Sequence, residues 1–116
     1  MLTGAMLGLM EQLGLDILTL TEALDEAEFF TSRLTRAQTL KILGSMARTA
    51  AELPAGTREI LPLIDWGAWA VLNKALANPS QHPLLIWVAI KELTPVTVQQ
   101  LADYKRTQPQ LFAMVI

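Results

Sequence analysis

The sequence predicts an all-α, single-domain fold, and three observations carry that reading. Apolar residues recur three and four positions apart through most of the 116 residues, which is the period of amphipathic helices. No stretch alternates apolar and polar residues as a half-buried strand does, and no internal repeat or linker divides the chain. The strongest breaks, Pro54 with Gly56 and the pairs Asn78-Pro79 and His82-Pro83, suit connections between helices.

The first helix is expected from Ala5 to about Leu24, with Met6, Leu9, Met10, Leu13, Ile17, Leu20 and Leu24 on its apolar stripe. The polar break LDEAEFFTS follows, where Phe29 and Phe30 are expected to pin a turn to the core. Thr31 or Ser32 caps a second helix running to about Leu53, with Leu34, Ala37, Leu40, Leu43, Ala47 and Ala50 facing inward. Gly44, in its middle, reads as a point of close approach for a neighbouring helix. After the short segment TREILP, Asp65 caps a third helix from Trp66 to about Asn78. ANPSQHP is a loop. A fourth helix covers about Leu84 to Leu93, and Thr94 with Pro95 starts a fifth that ends near Thr107. The apolar tail PQLFAMVI should dock or meet a partner.

Composition narrows the function. Apolar residues make up 52% and charged residues 17%, against about 45–50% and 25% in ordinary soluble domains. That surplus points to apolar surface meeting a partner. A net charge of -2 gives no global attraction to nucleic acid or anionic lipid. With no cysteine, disulfides and thiolate metal sites are excluded. Mean hydropathy of +0.34 raises a membrane reading. The longest uncharged run, Ala75 to Ile90, contains two prolines and is shorter than the roughly 20 residues a bilayer needs. The opening MLTGAMLGLM lacks a basic n-region, so a cytoplasmic protein is the expectation.

Phosphate-loop, hydrolase-elbow and zincin motifs are missing, and one histidine, His82, cannot make a transition-metal site alone. No metal or cofactor is expected. Glu11, Asp16, Glu22, Asp25, Glu26 and Glu28 read as a solvated acidic face. Arg33, Arg36, Lys41 and Arg48 follow with no acid between them, and a helical period places them within roughly 140° of one another. This basic stripe serves either to pair with the acidic first helix or to face the phosphates of an RNA or nucleotide ligand. Trp66 and Trp69 share a helical face and read as core, and Asn73 lies farther along that face as a polar amide needing a partner or a role.

The segment AEFFTSRLTRAQTLKILGSMARTAAELPAGTREILPLIDWGAWAVLNKAL resembles the HEPN superfamily, in its HepT-like branch of minimal prokaryotic domains. The matching features are Glu28, Phe29, Phe30, Thr31 and Ser32 at the first turn, Gly44-Ser45-Met46-Ala47 in the second helix, Leu53-Pro54, and Pro62-Leu63-Ile64-Asp65-Trp66. Downstream, Ile86-Trp87 and Leu93-Thr94-Pro95 also match, so the similarity spans most of residues 9–105. The resemblance implies a four- or five-helix up-and-down bundle that often dimerises. It implies an RNase toxin paired with a nucleotidyltransferase antitoxin, or a binding subunit beside such a transferase.

Catalysis in that family rests on an arginine followed within a few residues by histidine, and here the pattern departs. The arginine position resembles Leu72, its polar neighbour is Asn73, the histidine position falls near Ala77 or Asn78, and Met46 replaces a usual glutamate. Metal-free RNA cleavage needs a general acid or base and a cation for the developing charge. The expectation is therefore a non-catalytic HEPN-like module, homodimeric or bound to a nucleotidyltransferase-like protein. Arg33, Arg36, Lys41, Arg48 and Asn73 are its candidate ligand-binding residues. One alternative is an RNase using relocated residues, His82 and Arg58 with Asn73. A helical scaffold with no nucleotide role is the other.

Overall fold

The computed structural model describes residues 3–113. Every regular element among them is helical. They are α1 (Thr3–Thr21), α2 (Glu26–Thr31), α3 (Arg33–Glu52), α4 (Ala55–Glu59), α5 (Trp66–Ala75), α6 (Pro83–Val88) and α7 (Thr94–Thr107). Single 3₁₀ turns occupy Pro79–Gln81 and Pro109–Leu111, and a π turn, Ala89–Leu93, joins α6 to α7.

Helix α1 packs against both α3 and α7, α5 packs on α3, and a buried bond from Trp69 to Thr97 links α5 to α7. Cross-contacts give the directions. Lys91 reaches the carbonyl of Thr21, Lys105 pairs with Glu11, and the backbone of Phe112 abuts Gly4, so α7 runs antiparallel to α1. Helix α5 packs on α3, and Leu40, Lys41, Gly44 and Arg48 share one groove with Asn73, Leu76 and Ala77. The principal helices form an up-and-down bundle around Leu7, Met10, Ile17, Leu43, Met46, Trp69, Leu72, Ile90 and Leu101, all buried.

Local chemistry sets the breaks. Asp25 and Glu28 form a reciprocal capping box: Asp25 Oδ1 accepts from the Glu28 amide at 2.8 Å, and Glu28 Oε1 accepts from the Asp25 amide at 3.0 Å. The expected polar break is thus a short helix, α2, and its buried Phe29 packs edge-to-face on Phe30 at 5.1 Å. Ser32 sits at the start of α3 but makes no side-chain cap, and the Thr31 hydroxyl donates back to Ala27. Asp65 caps α5 through the Ala68 amide at 2.9 Å. Helix α5 stops at Ala75, short of the expected Asn78, because the residue before Pro79 is pushed out of helical backbone and the last turn tightens ahead of it.

Several expectations are corrected. The fourth and fifth helices are one helix over 83–107. At about 1.5 Å per residue it runs roughly 37 Å, most of the 44 Å extent of the molecule. Pro95 lies inside it, where an α register would lack one N–H and press the ring on the carbonyl of Lys91. The π turn widens the helix just ahead, with the Thr94 amide bonding back to Ala89.

Leu9, Leu34 and Ala37 are exposed, so the inner face of α3 is Thr39, Leu43, Met46, Ala47 and Ala50. Gly44 is not a helix-approach point, since a Cβ there would meet only Arg48 Nη1, at 3.7 Å. Gly14 is one: a Cβ there would overlap Cγ2 of Val98 and lie 3.2 Å from Cε of Met46.

The described ends of the chain dock on each other. A Cβ at Gly4 would lie 2.6 Å from the Ala113 carbonyl, and Leu111 and Phe112 pack against the core. Met1, Leu2 and residues 114–116 of the apolar ends lie outside the described residues.

Candidate functional site

Helix α3 carries four basic residues, and the bundle divides them. Lys41 and Arg48 line a groove of about 310 Å³ between α3 and α5, together with Leu40, Gly44, Asn73, Leu76 and Ala77. Arg36 turns toward a neighbouring cleft at the α2–α3 junction, where its guanidinium donates to the Phe30 carbonyl. Arg33 lines neither. Of the five expected ligand-binding residues, Lys41, Arg48 and Asn73 come together.

The groove lies over the one residue of α3 without a side chain. Gly44 sits between Leu40 and Arg48 on the α3 surface, and any larger residue there would fill the floor. Leu40 and Leu76 supply apolar walls, both half-buried. Arg48 is steadied by Nη2 donating to the Ser45 hydroxyl at 3.2 Å. Asn73 is half-buried on the opposite wall.

The ion pairs bear on one of the two uses of the basic stripe, pairing with the acidic first helix. The ion pairs among the described residues are Lys105 with Glu11 at 3.2 Å and Arg106 with Asp103 at 3.0 Å. Both lie on the α7 side. Glu11 thus pairs with α7 rather than with α3, and the α3 cations have no carboxylate within 4 Å among the described residues. Two unneutralised cations facing one groove raise its local potential although the whole chain is negative.

No family model, curated protein or solved structure matches the chain. The site is therefore read from its own chemistry. Amide and cation donors over apolar walls suit a phosphate-bearing ligand, with no imidazole or carboxylate among the residues lining the groove.

The remaining candidates lie elsewhere. Leu72, at the position that resembles the family's arginine, is only 1% exposed and belongs to the core, whereas Asn73 and Ala77 face the groove. Met46 is buried against Gly14. His82 is exposed at the start of α6 and its side chain caps nothing. Arg58 sits half-buried on α4, its Nε enclosed without a partner. Neither lines the groove.

Trp69 is core, as expected, its indole donating to Thr97. Trp66 is half-buried and donates to the Leu61 carbonyl at 3.0 Å. Among the described residues no three His, Asp or Glu side chains gather as a metal site would require, and no helix is long and apolar enough to cross a membrane. Leu40 and Leu76 escape a search for polar motifs because walls of this kind carry no signature beyond helical spacing.

Proposed function

We propose that the chain is a non-catalytic, HEPN-like binding module that holds a phosphate-bearing ligand, a nucleotide or a single-stranded RNA segment, in the α3–α5 groove. The observation that carries this is the meeting of Lys41, Arg48 and Asn73 between apolar walls, with no carboxylate within 4 Å of the two cations among the described residues. The HEPN resemblance agrees in one respect. Asn73, which resembles the polar neighbour of the family's arginine, and Ala77, one of two positions near its histidine, line this same groove.

The module is proposed to act as a homodimer or beside a nucleotidyltransferase-like partner. Supporting that is a mixed face where Leu34, 86% exposed, and Ala37 stand with half-buried Leu13 and Ile42 beside Gln38, Lys41 and Ser45. A monomeric mass at tens of micromolar, with no co-purifying protein, argues against it.

The test of the groove is fluorescence anisotropy with labelled poly(U) and with labelled ATP, across a salt series. Lys41→Gln with Arg48→Gln should weaken binding and flatten the salt slope by roughly 0.7 per lost phosphate contact on a single strand. Unchanged affinity and slope in the double variant would favour a helical scaffold with no nucleotide role.

A further inference from the structure

The cleft that takes Arg36 is a separate site of different chemistry. It has a volume of about 430 Å³ and is lined by Phe30, Arg36, Leu40, Pro79, Ser80, Pro83 and Ile86, which places it within the roughly 300–1,000 Å³ typical of small-molecule pockets. Its walls are fixed. The Phe30 ring is held edge-on to Phe29 at 5.1 Å and tilted against Trp87 at 6.4 Å. Pro79 and Pro83 stiffen the opposite loop through their locked φ angles, and Ile86, buried, forms part of the floor.

The Arg36 guanidinium is the one charged group among the lining residues. It is anchored at one end by donation to the Phe30 carbonyl. Arginine carries five N–H donors in a planar fork, so donors remain for a ligand. No carboxylate lies within 4 Å of it among the described residues.

We propose that this cleft binds a small organic monoanion with a flat apolar body, an aryl carboxylate in chemical class. The carboxylate pairs with Arg36, the ring lies against Phe30 between the two prolines, and the Ser80 hydroxyl offers a further polar contact at the rim. The charge balance selects the class. One guanidinium matches one carboxylate in a bidentate pair. A phosphate dianion or a polynucleotide would bring more negative charge than the single guanidinium balances, with no second cation among the lining residues. The site is thus distinct from the Lys41–Arg48 groove, although Leu40 separates the two and lines both.

The experiment uses 2-naphthoate as the probe, titrated into the isotopically labelled full chain and followed by amide chemical shifts. 2-Naphthalenemethanol serves as the neutral analogue. The expected result is a saturable response centred on Phe30, Arg36, Ser80 and Ile86, at least tenfold weaker with the alcohol. Arg36→Gln should weaken naphthoate about tenfold, the scale of one charge-assisted pair, while Arg36→Lys retains part of the affinity. Because Arg36→Gln also removes the bond to Phe30, a second variant, Ser80→Trp, blocks the cleft from an exposed turn and should abolish binding in a folded protein. No saturable response through millimolar naphthoate overturns the proposal. So does equal binding of acid and alcohol, or unchanged affinity in folded Ser80→Trp.

Discussion

The Nε1 of Trp69 donates to Oγ1 of Thr97 across 3.0 Å, and both side chains are buried. This bond ties α5 to the long C-terminal helix through the centre of the molecule, although 28 residues separate the partners. A buried indole N–H without an acceptor costs more than the bond itself contributes, so Thr97 is fixed by Trp69 as much as by packing. Thr97→Val keeps the shape and removes the acceptor. It should destabilise the fold by about 1–3 kcal/mol in urea denaturation, and Thr97→Ser should recover much of that loss. Equal stability of the valine variant and the parent would remove the bond from the account.

Gly14 and Gly44 should respond to alanine in opposite directions. At Gly14 the added methyl group overlaps Cγ2 of Val98, a stiff β-branched side chain, and crowds Met46. Gly14→Ala should cost about 1–3 kcal/mol, relieved by the companion change Val98→Ala. At Gly44 the nearest atom is the flexible tip of Arg48. Gly44→Ala should therefore stabilise α3 by roughly 0.5–1 kcal/mol through its effect on the unfolded chain. A stabilised Gly44→Ala that also binds poly(U) less well would mark the groove floor as ligand-facing.

The fold class, the main helices and the core role of Trp69 were legible because they depend on apolar period and on the residues that end helices. What was not legible depends on three-dimensional neighbours. Glycines 14 and 44 look alike in one dimension, and only the position of Val98 distinguishes them. Leu34 fits the helical period of α3 yet is 86% exposed, so its period alone points to a core that does not cover it. Pro95 reads as a helix start by its preference for a first turn, but a π turn supplies the same relief inside a continuous helix. The basic stripe was visible, whereas its division between a groove and a cleft follows from where α5 and the Pro79–Pro83 loop cross α3.

The capping box at Asp25 is written in Asp25 and Glu28, but α2, at six residues, is too short to show a helical period. Asp25→Ala removes the side-chain acceptor at the start of α2. It should cost about 0.5–2 kcal/mol, and hydrogen exchange should accelerate first at the amides of Glu28 and Phe29. Helix α2 carries Phe30 to the Arg36 cleft, so the same variant should weaken naphthoate binding without altering poly(U) binding. Loss of both together would show that the two depressions do not act independently.

The last prediction concerns chemistry. Cleavage of RNA without a metal needs a proton-transfer group within hydrogen-bond reach of the reacting hydroxyl and a cation near the phosphate. Lys41 and Arg48 offer the cation, but His82 is exposed on the far side of Pro79 and is not among the residues lining their groove. The purified chain should therefore leave tRNA and total cellular RNA intact over hours while retaining poly(U), and His82→Ala should behave identically. Cleavage that vanishes in His82→Ala, with folding preserved, would refute the non-catalytic reading and make the loop histidine its catalytic residue. Cleavage that persists in His82→Ala but is lost with Lys41→Gln and Arg48→Gln would place the reaction in the groove itself.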